Sequence, residues 1–407
     1  MATQLNDWLS IDKISGTGNA EITLTASSYT ELVDRAASIK IQAQSTNAIL
    51  NVRQKAFSPV EKNNDYFWIE FENTGTEVGG LGKSWTDIYY SFDANTWTAV
   101  DDTGVVSLGT KRLVYLKNNT KKLFKDFDNY TSIVFSSNAK IGGDLSSMTD
   151  MIGNCCFSLF EGNKYLIDAS GLILPWGTLA ESCYYHMFYN CTSLTNAPVL
   201  PATTLANDCY SSMFSGCTNL VNAPALPTTT LAEGCYYHMF YKCTSLTNAP
   251  ALPATTLAKY CYAYMFYNCI SLTSAPALPA TTLAYGCYYS MFQNCTSLTS
   301  TPALPATTLA DSCYFSMFQN CTSLVTVPEL PATTLADYCY RYMFQGCHKL
   351  NYIKMLATDI SARNCLYKWV ENVSSTGTFV KHPNNTTIPI DSVDGIPSGW
   401  TVETATE

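Results

Sequence analysis

LPATTLANDCYSSMFSGCTNLVNAPA, residues 200–225, decides the fold, because the same pattern starts again at Leu226 as LPTTTLAEGCYYHMFYKCTSLTNAPA. Units of 26 residues begin at Leu174, Leu200, Leu226, Leu252, Leu278, Leu304 and Leu330 without a break in register, sharing the form LPATTLAxxCYxxMFxxCTSLTxAPA. A fixed period of this size marks a chain built by stacking one small unit on the next. One unit offers about six apolar side chains, for example Leu200, Leu205, Cys209, Met213, Phe214 and Leu220, each stabilising by roughly 1.5–3 kcal/mol if fully buried. Ordering the backbone costs about 1–2 kcal/mol per residue. A lone unit therefore cannot fold, and its neighbours must supply the missing burial and backbone pairing, as in a solenoid.

Within a unit, Leu194, Ala197, Val199 and Leu200 have the spacing of a short inward-facing strand, and Pro201 turns the chain after it. Thr204 then stands where an N-cap would. Leu205, Cys209, Met213 and Cys217 recur every four residues, which predicts one or two helical turns with one apolar face. Each coil is thus expected to run strand, turn, short helix, return loop. Parallel strands stack about 4.8 Å apart and helices need more, so the array should curve with its strands on the inner side. Pro198, Pro224, Pro250, Pro276, Pro302 and Pro328 fall inside the expected strand and delete a ladder donor, so that strand should be very short or broken.

These landmarks resemble the BspA-like (Treponema-type) leucine-rich repeats of bacterial surface proteins, whose coil carries an LPxxL turn and an AFxxC element. LPATTL and MFxxC stand in their places, although the family's common unit is shorter than 26 residues and the extra residues fall between LP and MF. The resemblance is close over 174–355 and degenerate over 148–173 and 356–381. It implies adhesion or interaction and names no ligand.

Both ends of the array read as caps. Residues 121–173 end in a degenerate coil, CFSLFEGNKYLIDASGLILP, one residue out of register, and 356–407 keep Cys365 in phase and put Trp369 at the Met position. Trp369 and Trp400 are expected to plug the open end. Ahead of the array, residues 1–57 alternate as WLSI, EITLTA, SIKIQA and ILNVRQ. They resemble the later part of a BACON module, an immunoglobulin-like sandwich often found beside carbohydrate-active domains. Trp8, the SGTGN turn, Arg35 and the closing VRQ are the matching landmarks, with no room for opening strands before Trp8. Residues 58–120 (YFWIEF, DIYYSF, TWTAV, VVSL, RLVYL) read as a second small sandwich, in which SFDANTW resembles a hairpin of gut Bacteroidetes surface proteins and their phages. The fold class expected is β-rich, immunoglobulin-like N-terminal modules followed by an α/β leucine-rich-repeat solenoid of 26-residue coils.

A net charge of −9 and 14% charged residues give no cationic surface for nucleic acid. No apolar run reaches the roughly 18 residues of a membrane span, so no membrane insertion is expected. Fourteen of the 17 cysteines form two ladders, Cys183 to Cys339 and Cys191 to Cys347, with a C-x7-C spacing unlike that of zinc sites. Free buried thiols are expected there. His186, His238, His348 and His382 make no convincing site, and no nucleophile, phosphate-loop or metal motif appears, so neither an enzyme nor a cofactor is expected.

What varies between coils follows the Cys-Tyr and Met-Phe pairs. Tyr185, His186, Tyr189, Tyr237, His238, Tyr241, Tyr264, Tyr267, Tyr289, Phe315, Arg341 and Tyr342 form the candidate ligand surface, since tyrosine among serine and glutamine suits adaptable binding and sugar rings. The tyrosines common to every unit, Tyr184 through Tyr340, are assigned to packing. The opening MATQLNDWLSID lacks a secretory signal and a lipobox cysteine. That favours a bacteriophage virion protein (fibre, decoration or tail component), presenting its repeats to a host-surface glycan or protein. A BspA-type adhesin on a bacterial cell is the alternative, and an intracellular scaffold gives no reason for a BACON-like module. A sandwich lacking its opening strands has an open edge, so residues 1–57 are expected to contact other virion proteins or copies of the same chain.

Overall fold

The computed structural model describes the backbone of five strands within residues 3–54, and residues 62–81, 87–119, 132–149, 153–174 and 178–406. The chain divides into two compact units, residues 1–62 and 63–407. In the first, β1 (Thr3–Asn6), β2 (Leu9–Ile11) and β3 (Leu24–Ala26) form an antiparallel sheet in that order. β4 (Arg35–Ala43) and β5 (Thr46–Gln54) pair as a hairpin with Ala43 opposite Thr46. Each alternating stretch of the sequence thus carries a strand, and β1 adds one ahead of Trp8. Trp8 itself and the turn at 15–19 lie outside the described residues.

The second unit begins with β6 (Phe67–Phe71), β7 (Glu77–Gly79), β8 (Ile88–Ser91), β9 (Thr98–Ala99), β10 (Val106–Ser107) and β11 (Leu113–Asn118). These strands do not close on themselves as the expected second sandwich. β12 (Val134–Phe135) joins β7, while β13 (Ala139–Asp144) lies antiparallel to β6 and parallel to β14 (Leu166–Ile173). The result is a six-stranded sheet, β14-β13-β6-β11-β8-β9, that runs straight into the first coils. Sequence explains the junction. Phe67, Trp68, Ile69 and Phe71 are all buried, so β6 needs cover on both edges and both faces. Gly142 on β13 admits the Trp68 ring, which would lie 2.1 Å from any Cβ there.

From residue 178 onward the coils repeat one arrangement, and it contains no α-helix. The stretch from Ser182 to Cys191 is a chain of turns. Tyr185, Met187, Tyr189 and Cys191 each donate their N–H to the carbonyl three residues back, to Ser182, Tyr184, His186 and Phe188. The residues between them point their N–H at the next coil: Tyr184 to the Cys209 carbonyl, His186 to Ser211, Phe188 to Met213 and Asn190 to Ser215. Every N–H from Ser182 to Cys191 is thereby paired, half within the coil and half between coils. Ser182, His186 and Asn190 have φ of 55, 58 and 56°, as the third residue of a type II turn requires. The last of these positions holds Asn or Gly in six coils (Asn190, Gly216, Asn268, Asn294, Asn320, Gly346), the residues that accept this conformation most readily.

Side chains follow the same rhythm, two in and two out. Cys235, Tyr236, Met239, Phe240, Cys243 and Leu246 are buried, and their counterparts in the other coils are equally so. Stacking places like on like: Phe214, Phe240 and Phe266 have ring centroids 5.8 and 5.7 Å apart, Tyr236 and Tyr262 5.9 Å. This spacing excludes the expected helices, whose axes need about 8–10 Å, and with them the expected cause of curvature. The α/β description is corrected accordingly to a β-solenoid. The Leu194–Leu200 segment, broken by its proline, keeps only isolated parallel bridges such as Asn222 to Asn248. All 17 cysteines are buried, and the fifteen from Cys183 to Cys365 are free thiols. In the second ladder each thiol donates to a phenylalanine carbonyl one coil back, as Cys243 does to Phe214 at 3.1 Å.

At the start of the array Phe160 stacks on Phe188 at 5.4 Å, 28 residues on, so the degenerate coil is two residues out of step rather than one. At the far end β15 (Tyr352–Met355), β16 (Gly377–Lys381) and β17 (Trp400–Thr404) form a parallel sheet. Trp369, fully buried, covers the last tyrosine and phenylalanine columns at 6.4 and 6.1 Å from Tyr340 and Phe344. Its indole N–H donates to the Gly395 carbonyl at 3.0 Å, and that of Trp400 to Ser374 at 2.7 Å.

Candidate functional site

The outward pairs of the turn chain carry all twelve candidate surface residues, and every one is half-buried. They fall into two groups. Tyr185, His186 and Tyr189 cluster in the first coil, with His186 4.2 Å from Tyr185 and 4.5 Å from Tyr189 between ring centroids. The next coil interrupts the aromatic surface, because Ser211, Ser212 and Ser215 occupy the same positions and are buried between their neighbours. Beyond it the remaining residues form one string. His238 meets Tyr237 at 4.1 Å and Tyr264 at 4.6 Å, Tyr241 stacks on Tyr267 at 4.8 Å, and Tyr289 stacks on Phe315 at 4.3 Å. Arg341 ends it over the rings of Tyr342 and Tyr367 at 4.9 and 4.7 Å.

His186 and His238 share a face two coils apart and form no ligand pair. Burial lowers each to about 4, in His186 despite Glu161 at 4.0 Å. His348 contacts the Asn372 carbonyl at 2.9 Å, and His382 accepts the Asn384 N–H at 3.1 Å.

The string opens into a cleft of about 560 Å³ lined by Asp208, Glu233, Gly234, Tyr237, Tyr260, Tyr264, Tyr285 and Tyr289. Substitution in single coils builds it. Ala263, fully buried, stands in the column between Tyr237 and Tyr289, so the ring expected there is missing. Gly234, at φ +60°, seats the Asp208 carboxylate of the preceding coil, which would lie 2.2 Å from a Cβ at that position; Gly286 seats the Tyr260 ring likewise. The walls stand at steep angles: Tyr260 to Tyr285 at 86° and 5.2 Å, Tyr237 to Tyr264 at 81° and 5.8 Å. Burial, and then a hydrogen bond to Tyr285, push the Tyr260 hydroxyl up to about 12. Asp208 accepts no side-chain hydrogen bond from a described residue, and burial followed by the charges of Glu181 and Glu233 raises its carboxyl. Tyr237, Tyr264 and Tyr289 belong to the surface read from sequence, whereas Asp208, Glu233, Tyr260 and Tyr285 do not. The available signal was two tyrosines in adjoining coils, Tyr260 and Tyr285, at neighbouring positions that hold small, polar or charged residues in every other coil except at Tyr338.

Such a cleft can hold a small ligand against aromatic faces, with two carboxylates as acceptors, and it brings together no nucleophile and base. Among the described residues no group of His, Cys, Asp and Glu is placed to hold a metal ion.

Residues 3–55 match the BACON family, described as a putative binding domain, N-terminal. The BspA type leucine rich repeat region matches in six copies over 119–272, 177–299 and 259–385. No curated protein and no solved structure matches the chain. With the repeat family spanning well over half the sequence, the chain belongs to the BspA-type leucine-rich-repeat proteins and carries a BACON domain at its N-terminus.

Proposed function

We propose that this chain is a non-catalytic recognition protein whose outward tyrosine columns hold a glycan, or the glycan of a glycoprotein, on a host surface. The N-terminal unit, its two sheets closed as a sandwich, serves as the anchor. The observation that carries this reading is the cleft between Tyr237 and Tyr289, where half-buried tyrosine faces and unpaired carboxylates meet in a space of about 560 Å³. That size lies within the roughly 300–1,000 Å³ of small-molecule sites. Rigid rings supply contact area at little entropic cost, and their hydroxyls supply hydrogen bonds. The proposed carrier is a bacteriophage particle, as a fibre, decoration or tail component. A bacterial cell displaying the chain as an adhesin would use the same surface.

Ala263→Tyr tests the cleft. The same column already holds tyrosine at Tyr185, Tyr237 and Tyr289, so the variant should fold with an unchanged melting curve while filling the gap. Binding to host-envelope glycans should fall by roughly tenfold or more, about 1.4 kcal/mol. Undiminished binding by the folded variant would move the recognition surface elsewhere. Deleting residues 1–62 tests the carrier: the truncated chain should be lost from purified particles, and its normal incorporation would remove the anchor role from the N-terminal unit.

A further inference from the structure

We infer that the cleft between Tyr237 and Tyr289 selects a sugar bearing a protonated amine, its ring against the tyrosine walls and its ammonium between Asp208 and Glu233. This rests on the reading of the tyrosine face as a glycan surface and adds the charge of the ligand.

Charge complementarity argues for this occupant. Glu181, Asp208 and Glu233 lie in three successive coils at neighbouring positions of the repeat, and Asp208 is half-buried. None of the three is ion-paired among the described residues, whereas Glu161, Glu329 and Glu371 pair with His186, Lys354 and Lys368. Lys259 stands one coil beyond Glu233 at the same position and still makes no ion pair with it. Like charges held together beside a partly dry wall repel one another, as the raised Asp208 carboxyl records. An arriving cation reverses that repulsion. The walls favour the same charge, because a cation within about 6 Å of a tyrosine face is attracted by the ring quadrupole. Two perpendicular tyrosine pairs, at 86° and 81°, offer faces in more than one direction.

A lone ammonium would leave most of a 560 Å³ cleft unfilled. A sugar ring fills it, laying its C–H face on a tyrosine and donating hydroxyls to the carboxylates. An anionic sugar would bring a third negative charge to Asp208 and Glu233 and is rejected.

The test titrates the full-length chain calorimetrically with three oligosaccharides of equal length: β-1,4-linked glucosamine, its fully N-acetylated form, and galacturonate. Putrescine serves as an amine without a ring. The free-amine oligomer is expected to bind at least tenfold more tightly than the N-acetylated one, and galacturonate not to bind. Asp208→Asn should bring that ratio close to one. Equal affinities for the amine and N-acetylated oligomers would overturn the amine selection and leave the glycan reading standing. Putrescine binding as tightly as the amino sugar would overturn the role of the ring. Absence of binding by every oligomer would overturn both readings, as would preference for galacturonate.

Discussion

The inward and outward pairs of the turn chain share one backbone and differ in what their repetition does. Inside, cysteine, tyrosine, methionine, phenylalanine and cysteine recur in every coil because each must lie on its own copy, 5.4–6.0 Å away for the phenylalanines from Phe188 to Phe344. A different ring in one coil would leave gaps against two neighbours. Outside, a side chain meets solvent on one face, and the columns change freely from tyrosine to serine, histidine, glutamine or arginine. Stability therefore resides in the columns that do not change, and the proposed recognition surface lies in those that do. The cysteines belong to the first class. Burial pushes Cys295 and Cys347 up to about 12, so at neutral pH these groups stay protonated as thiols, the form that is a poor nucleophile.

The largest effect expected comes from breaking an inner column. Phe266 lies between Phe240 and Phe292, at 5.7 and 5.5 Å. Phe266→Ala should cost about 3–5 kcal/mol. Because each coil touches only its neighbours, the loss should divide urea unfolding, followed by circular dichroism, into two transitions on either side of the damaged coil. A loss below about 1 kcal/mol in a single transition would mean that the columns do not carry the stability assigned to them.

A middle-sized effect distinguishes the histidines from the rest of the outer face. Their folded values of about 4 lie below the ordinary 6.5, so the unfolded chain takes up protons first. Stability is full above pH 6.5 and declines as pH falls toward 4. Asp208 acts in the opposite sense, since its carboxyl is raised in the folded chain. The measurement is therefore a difference: melting temperature against pH for the natural chain and for a His186→Asn, His238→Asn double variant. Asparagine accepts the positive φ of 58 and 56° at these positions. The variant should lose less stability between pH 6.5 and 4. Parallel curves would show that the histidines are as wet as an ordinary surface group.

The period, the buried columns, the proline-broken strand and the Trp369 plug were legible in the sequence, since each follows from stacking like on like. The helix was misread from a four-residue spacing. An α-helix turns about 100° per residue, so positions four apart drift by roughly 40°. Leu205, Cys209, Met213 and Cys217 would wander by roughly 120° across three steps, whereas two-in, two-out turns repeat without drift. The Asn and Gly residues just before the second cysteine were the overlooked sign of a left-handed backbone. The cleft was harder to see, because Ala263 contributes by being small and Gly234 by seating a side chain of another coil. Neither property shows in a single unit.

The smallest effect expected is also the sharpest check on the contrast between inner and outer columns. Gln293, Gln319 and Gln345 form an amide ladder on the outer face that ends on Glu371, each side chain bonding to the next coil. It repeats as the inner columns do, yet it is half-buried. If repetition alone conferred stability, breaking it would cost as much as losing a phenylalanine. If burial is what matters, Gln319→Ala removes two amide contacts that water can replace and should cost no more than about 0.5–1.5 kcal/mol, with unfolding still in one transition. A loss of the size expected for Phe266→Ala would make this ladder part of the framework. The face available for recognition would then narrow to the tyrosine coils between Tyr237 and Tyr289.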